Sequence, residues 1–377
     1  MLNAGKLIAL AGLSSGLLVA PAVADPWTRS YVVEWSEQAA YFGSATGGLT
    51  APGTDCPKGT EPELNLKKVL VTSYRSPQDV DLVLDLDKTE KPENLFQAMT
   101  MRGLKKENIY KNPKAAPDVG MLTVQGKIAE GFNLDGDTKS GFTSPSGEKG
   151  IDNNFYKAWG CWEAFRGPTH KANLYHNDEM RNGKFTALIL ISGNKGPRND
   201  DNVKLGLYSS KDKVVKDANG DIAADFSFRI ADDKAHTTIL DAKIVDGVLT
   251  LTRPQDIKWR EASFIPYLTL FDGQARFTLN PDGTLSGMLG GYKPIQEAIA
   301  TWTIAGPNVE LVSHVNLSAA YYAIERAADA RPDPESGENT AISTAVRYFA
   351  VPAFIIKSDA SGPAQVAQAL GGPTPTP

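Results

Sequence analysis

Cysteine is almost absent from the chain, which contains only Cys56 and Cys161 among 377 residues. Neither belongs to a CxxC or CxxCH pattern, so the sequence contains no thioredoxin-like redox pair and no c-type haem attachment site. In an oxidising compartment the two would pair most simply with each other, closing a loop of about 100 residues, for which chain entropy gives about 4–5 kcal/mol. A buried free thiol beside Trp159 and Trp162 is the alternative interpretation.

Signatures of catalysis are equally scarce. The sequence has no Gly-x-Ser-x-Gly nucleophile elbow, and its two Ser-x-x-Lys matches lie in turn-like sequence without the companion motifs. His170 and His176 lie near Asp178 and Glu179, but the histidines lack the i, i+4 spacing of helical zinc sites, which favours a surface loop over a metal or general-base role. Paired carboxylates brought together from distant strands leave no local signature, so a glycosidase remains compatible with the sequence.

The chain also lacks a basic patch with interleaved aromatic residues, and its formal net charge is −5. These two features argue against nucleic acid as a partner. With 41% hydrophobic and 22% charged residues, the composition is typical of a globular protein.

The N terminus has the pattern of an export signal. Lys6 precedes an apolar run at residues 7–19 that is too short for a comfortable membrane span, and Ala-Val-Ala at 22–24 has the form of a signal-peptidase site. Residues 1–24 are therefore predicted to be a signal peptide. The mature chain is expected in the periplasm or outside the cell, without a transmembrane span.

Hydrophobic periodicity predicts a mixed, β-dominated fold: an antiparallel β-sandwich or barrel-like body with a few packed helices. From residue 184 onward the apolar period is two, and tight-turn sequences at 217–221, 245–247 and 280–283 separate short strand candidates. The predicted segments are a signal peptide (1–24), a mixed α/β region (25–130), an acidic loop plus aromatic helix (131–168), an antiparallel β body (169–310), a C-terminal helix and strand (311–357) and a disordered tail (358–377). Two separate domains dividing near Gly131 are the alternative.

Local signals place several elements within these segments. Ser76 is a predicted N-cap of a helix that begins at Pro77, and residues 121–124 are predicted to form a strand. Asp152 is placed as the N-cap of an aromatic helix, whose ring face is more typical of a core than of a ligand cage. A further helix is predicted at residues 318–330.

Hard oxygen donors concentrate in the glycine-punctuated stretch that opens at Gly131. Asn133, Asp135 and Asp137, followed by Asp152, resemble elements of calcium-binding loops such as thrombospondin type 3 repeats, although Phe142 stands where an EF-hand has its bidentate glutamate. The resemblance predicts a structural calcium ion bound by these four residues. The alternative is that Asp135-Gly136 is an ordinary turn and Asp152 only caps the following helix, a role worth ~1 kcal/mol.

Two functions are compatible with these features. The first is a non-catalytic binding module for a glycan, lipid or envelope partner, supported by abundant β-hairpins and by Trp259 and Trp302 as expected surface aromatics. The second is an exported hydrolase whose carboxylates are scattered over a sheet face. A pocket with two facing carboxyl groups of raised pKa would favour the hydrolase, and a shallow aromatic platform would favour binding.

Overall fold

The computed structural model describes residues 26–42, 54–61, 64–73, 76–85, 93–163, 166, 171–260 and 268–356. The predicted signal peptide and the predicted tail lie outside these residues, as does His170, and the side chain of Trp302 also lies outside the description. Within the described residues, no helix is long and apolar enough to cross a membrane.

The described chain contains more strands than α-helices. The strands are β1 (Trp27–Gln38), β2 (Phe142–Thr143), β3 (Lys149–Ile151), β4 (Thr186–Gly193), β5 (Asp200–Ser210), β6 (Phe226–Arg229), β7 (Thr238–Val245), β8 (Val248–Leu251), β9 (Gln255–Trp259), β10 (Leu268–Leu279), β11 (Leu285–Pro294), β12 (Ala330–Pro332) and β13 (Asn339–Ile356). The helices are α1 (Leu66–Ser73), α2 (Pro77–Leu84), α3 (Glu93–Thr100), α4 (Asn154–Trp159), α5 (Lys171–Arg181), α6 (Ile295–Ala298), α7 (Ala300–Ala305), α8 (Pro307–Ser313) and α9 (Leu317–Ala327).

The body is a closed antiparallel barrel, which confirms the predicted fold class. The strand order around it is β1-β4-β5-β7-β8-β10-β11-β13, and β13 pairs again with β1. Strand β9 continues the position of β8, since β8 pairs with one half of β10 and β9 with the other. The barrel extends beyond the predicted body at 169–310, because β1 and β13 complete it. A division into two domains near Gly131 is therefore wrong, since β1 precedes Gly131 and lies between β4 and β13.

Apolar side chains from alternating strand positions fill the barrel interior, as expected for an eight-stranded barrel. Trp259 is fully buried there, its ring 5.3 Å from that of Tyr348 and its Nε1 donating to the Tyr208 carbonyl at 2.8 Å. The expectation that Trp259 is a surface aromatic is therefore wrong. The tryptophan faces inward because it alternates with exposed Lys258 on β9.

A helical layer covers one side of the barrel, where α4 packs between α9 and β13. The aromatic residues of α4 form core, as predicted: Phe155 and Trp159 are buried, and Trp159 Nε1 donates to the Ala320 carbonyl at 3.0 Å. The N-cap of α4 is Asn153, whose side chain accepts from Tyr156 N at 3.2 Å, so the assignment of this role to Asp152 is wrong by one residue.

Other local predictions have mixed outcomes. The cap of α2 is confirmed, with Ser76 Oγ accepting from Asp79 N at 3.2 Å. Residues 121–124 form no strand, because Val124 N donates to the Lys157 carbonyl of α4 rather than to a neighbouring strand. His176 lies on α5 rather than in a loop; burial lowers its pKa to about 4.

Candidate functional site

The disulfide between Cys56 and Cys161 is present, with the two Cα atoms 5.7 Å apart. Each cysteine is only 1% exposed. The predicted pairing is confirmed, and the alternative of a free thiol beside the tryptophans is wrong. The bond joins an irregular segment near the start of the chain to the residues that follow α4.

A buried ion pair lies directly beside this disulfide. The guanidinium of Arg166 donates to both carboxylate oxygens of Asp55, at 2.7 and 3.0 Å, and also contacts Cys56 Sγ at 3.2 Å. The Tyr156 hydroxyl donates to the same carboxylate at 3.2 Å. Because both side chains are almost fully buried, the loss of either partner would leave the other buried without a counter-charge.

The acidic loop that begins at Gly131 closes on itself through Asp152. Asp152 N donates to the Phe132 carbonyl at 2.8 Å, and the Asp152 Oδ2 atom accepts from Leu134 N at 2.7 Å and Asp135 N at 3.3 Å. Gly150 makes the return possible: its φ is 79°, and a Cβ there would overlap the Asp137 carbonyl. The backbone needs a glycine at this close approach.

The other three predicted calcium ligands each bond to an amide of the same loop. Asn133 Oδ1 accepts from Gly136 N at 2.7 Å, Asp135 Oδ1 from Asp137 N at 2.7 Å, and Asp137 Oδ1 from Lys139 N at 2.8 Å. Such turns are a common use of Asn and Asp side chains. Each carboxylate retains a second oxygen for other contacts.

The loop lies against the outside of the barrel at its glycine-rich strand, β11. A Cβ on Gly290 would overlap the ring of Phe132, so this glycine lets the loop pack closely. The Arg276 guanidinium lies 5.3 Å from the Phe132 ring centroid and donates to Glu148 Oε2 at 3.0 Å. Gln274 Nε2 donates to a loop carbonyl at 3.2 Å. These contacts fix the loop on β10 and β11.

A cavity of about 520 Å³ lies between this loop, the segment 124–127, the start of α4 and the end of β11. We call it the acidic pocket, because three aspartates from separate parts of the chain border it. The lining residues are Val124, Gln125, Gly126, Lys127, Asp135, Ser140, Gly141, Phe142, Asp152, Asn154, Lys157, Tyr292 and Asp329.

Asp152 is 9% exposed, and burial raises its pKa to about 6, with hydrogen bonds from Leu134 N and Asp135 N opposing the shift and the charges of Asp135 and Asp329 adding to it. While Oδ2 receives those two amides, Oδ1 has no hydrogen-bond partner among the described residues. Asp152 therefore lines the pocket with one oxygen that is free of hydrogen bonds among the described residues, and burial keeps its pKa at about 6.

Asp329 follows α9 and is held firmly in place. Its Oδ2 accepts from Ser343 Oγ at 2.6 Å and Asn154 Nδ2 at 2.9 Å, and its Oδ1 accepts from Ser343 N at 2.8 Å. Burial raises the pKa of Asp329, and the Ser343 hydrogen bonds oppose that shift. Three donors fix the orientation of this carboxyl group, and the residue lines the pocket.

The Tyr292 hydroxyl completes the polar wall. Its pKa lies well above the usual value, first because of burial and then because of the negative charges of Asp152 and Asp329. In the part of the chain that the structure describes, this hydroxyl has no hydrogen-bond partner. It is therefore a donor available to a bound molecule.

The structure brings only some of the predicted site residues together. Asp135 and Asp152 line the acidic pocket, whereas Asn133 and Asp137 do not. Among the described residues, no group of three or more His, Cys, Asp or Glu side chains is close enough to hold a metal ion, and calcium binding stays a prediction. Sequence reasoning missed Asp329 and Tyr292, since neither lies in a recognisable motif; the only nearby signal was the Gly290-Gly291 pair before Tyr292.

Comparisons with known proteins do not indicate a function, so the functional interpretation depends on the chemistry of the pocket. No family model, no curated protein and no solved structure matches the chain.

Proposed function

We propose that this protein is an exported binding module whose acidic pocket takes a small, hydroxyl-rich ligand of the glycan class. The observation that carries this proposal is the lining of the pocket. Val124 and Phe142 supply its large apolar side chains, and most other lining side chains can donate or accept hydrogen bonds. Such a lining suits a polar ligand better than a lipid chain, which requires mainly apolar contacts.

The charged side chains that line the pocket limit the class of ligand that it can bind. Three aspartates line the pocket together with Lys127 and Lys157, so neither a strongly anionic nor a strongly cationic molecule would find a wall of uniform opposite charge. A sugar ring offers hydroxyl groups that both donate and accept. The free Oδ1 of Asp152 can accept from one hydroxyl, and the Tyr292 hydroxyl can donate to another. Satisfying both groups at once favours a polyhydroxylated ligand.

The proposed location outside the cytoplasm has two supports. The disulfide is consistent with an oxidising compartment. The pattern of residues 1–24 is that of a signal peptide. Periplasmic and extracellular destinations are equally compatible with both features.

Hydrolysis is the second candidate, and one observation favours it. Asp152, with a pKa of about 6, shares the acidic pocket with Asp329, whose pKa burial also raises, so the pocket holds the pair of carboxyl groups of raised pKa that favours a hydrolase. A carboxyl group that is still protonated near neutral pH can donate a proton to a leaving oxygen, and a second carboxylate can stabilise the positive charge that develops. In this reading Asp152 is the general acid, and Asp329, oriented by Ser343 and Asn154, is its partner.

Saturation-transfer NMR of the mature protein with a panel of mono- and oligosaccharides tests the binding proposal. We expect at least one sugar to bind, and Tyr292→Phe and Asp152→Asn each to weaken it about tenfold, the size of one lost hydrogen bond. Tyr322→Phe is the matched control, because that hydroxyl contacts the Lys114 and Ala116 carbonyls rather than the pocket. A panel without any binder, or unchanged affinity in both variants, would show the proposal to be wrong.

The same panel separates the two candidates when the release of reducing ends is measured. Turnover that Asp152→Asn abolishes while the sugar still binds would establish the hydrolase. Binding without turnover, at both pH 5 and pH 7, would establish the module.

A further inference from the structure

One wall of the acidic pocket has no regular secondary structure. It is part of what we call the wall segment, residues 122–127. Three of its backbone amides donate outside the segment to main-chain carbonyls: Val124 N to Lys157 at 2.9 Å, and Gln125 N and Gly126 N both to Asp55 at 2.8 and 3.1 Å. The wall therefore depends on α4 on one side, on residue 55 on the other, and on β2 at its end, where Thr143 N donates to the Lys127 carbonyl at 2.9 Å.

Contact with residue 55 is close enough to require a glycine. A Cβ at Gly126 would lie 2.9 Å from Asp55 Cα, nearer than side-chain carbons approach a backbone. At the other end of the wall segment, Leu122 N donates to Glu61 Oε2 at 2.7 Å. The wall segment thus rests along residues 55–61, which we call the anchor segment.

The anchor segment is also irregular, and most of its described attachments converge on the end of α4. They are the disulfide from Cys56 to Cys161, the hydrogen bond from Glu61 N to the Cys161 carbonyl at 2.8 Å, and the ion pair from Asp55 to Arg166. Cys161 lies just after α4, which itself supplies Asn154 and Lys157 to the pocket. Apart from the peptide chain itself, the disulfide is therefore the only covalent link between the anchor segment and the residues that follow α4.

We infer that the acidic pocket is assembled only in the oxidised chain, so that formation of the Cys56–Cys161 bond switches the site on. Its significance for ligand binding rests on the function proposed above. A disulfide-bearing oxidant supplies the chemistry: its S–S bond breaks as the Cys56–Cys161 bond forms, and it leaves as a dithiol carrying the two electrons and two protons of the cysteine thiols. Before oxidation, the anchor segment is held only by non-covalent contacts, and no barrel strand includes residues of the wall segment or the anchor segment.

Hydrogen exchange tests this inference without any ligand. We compare the oxidised protein with Cys56→Ser/Cys161→Ser and with wild type reduced by dithiothreitol. In both altered forms, exchange of the Val124, Gln125 and Gly126 amides should accelerate at least tenfold more than exchange of the β4 and β5 amides, which reports any loss of global stability. Unchanged protection of the wall segment would overturn the inference, and so would an equal loss in β4 and β5, since the bond would then be a staple of the whole fold.

A second variant disturbs the same contact with the disulfide intact. Gly126→Ala should speed exchange in the wall segment as the cysteine variants do, because its Cβ pushes against Asp55. Ser146→Ala, in the β2–β3 turn, is the control and should leave the wall segment protected. If Gly126→Ala leaves it equally protected, the anchor segment does not hold the wall. Wall loosening without any sugar binding would contradict the proposed function and leave the redox inference intact.

Discussion

The barrel and the pocket-bearing face (residues 54–61 and 122–154) are stabilised in different ways. In the barrel, each strand is paired along its length, as in the ten-residue ladder from Leu285↔Ala350 to Pro294↔Ala341 between β11 and β13. On the pocket-bearing face, structure depends on contacts that occur once each: the disulfide, the Asp55–Arg166 pair and the carboxylate of Asp152. A repeated ladder distributes the effect of one change, whereas a single contact concentrates it. The candidate site lies on the face with less redundancy, where local opening is easier.

The largest effect is expected inside the barrel. Trp259→Ala removes a fully buried ring and leaves the Tyr208 carbonyl without its indole donor, so the free energy of unfolding should fall by about 3–5 kcal/mol. Ile239→Ala on β7, where the side chain is 60% exposed, is the control and should change little. The free energies of unfolding of both variants are measured by urea unfolding monitored by far-ultraviolet circular dichroism, which does not rely on the tryptophan signal. Equal stability of the two variants would contradict the assignment of Trp259 to the core.

The next change breaks the buried ion pair on the pocket-bearing face. Arg166→Met leaves the Asp55 carboxylate buried without its cation, and breaking such a pair costs about 3–5 kcal/mol. Because the contact is local, we expect the loss to appear as early proteolysis at residues 54–61 before the barrel unfolds. Asp55→Asn/Arg166→Met should recover part of the loss. Arg229→Met, which removes an exposed partner of Asp212, should not change proteolysis; a similar effect there would remove the distinction between buried and exposed pairs.

A calcium ion bound in the loop would add one more unrepeated contact to the pocket-bearing face. If the loop binds calcium, an ion concentration 100-fold above Kd stabilises the fold by about 2.7 kcal/mol, and the melting temperature should be higher in calcium than in EDTA. Asp135→Ala should remove that difference, and Asp246→Ala, in the turn between β7 and β8, should preserve it. Identical melting temperatures in calcium and EDTA would exclude the site.

The smallest expected effect concerns pH. The pKa of Asp152 is about 6 in the folded protein, against an ordinary value of 3.8. Because the folded value is raised, the folded state binds a proton that the unfolded chain releases between these values. The contribution of this proton to the free energy of unfolding is fully present below pH 3.8 and is lost as the pH rises through 6. Solvent in the pocket screens the charge, so we expect about 1 kcal/mol rather than the full linkage value.

Asp152→Asn isolates this contribution, since an amide oxygen can still accept from Leu134 N. Relative to the variant, wild type should lose about 1 kcal/mol of stability between pH 4 and pH 7, measured by urea unfolding at each pH. Parallel pH profiles for the two proteins would show that Asp152 titrates normally.

The barrel strands were largely predictable, because turn sequences mark their ends. Asp246-Gly247 and the turn at 280–283 separate β7 from β8 and β10 from β11, as predicted. Strand β9 was not predicted, since Pro254 directly precedes it and its alternation of Ile257 and Trp259 with polar residues extends over only five positions. The pairing of β1 with β13 could not be predicted either, because no local signal selects a partner more than 300 residues away, as in Tyr31↔Pro352.

The candidate site was predictable only where its residues share one loop. Asp135 and Asp152 stood out because glycines and hard donors cluster around them. Asp329 and Tyr292 reach the pocket through the packing of α9 and the course of β11, which are tertiary features. The amides that hold Asp152 belong to Leu134 and Asp135, and backbone donors carry no sequence signal.

Barrel closure through β1 and β13 also sets the order in which this chain can fold. Strand β1, the first of the described strands to leave the ribosome, must wait for residues 339–356, the last of the described chain, before its second edge is paired. Contacts of such long sequence separation form slowly, and an unpaired edge can meet another chain in the meantime. For the export proposed above, this delay would be useful, since a chain that has not yet closed its barrel can still be threaded through a membrane.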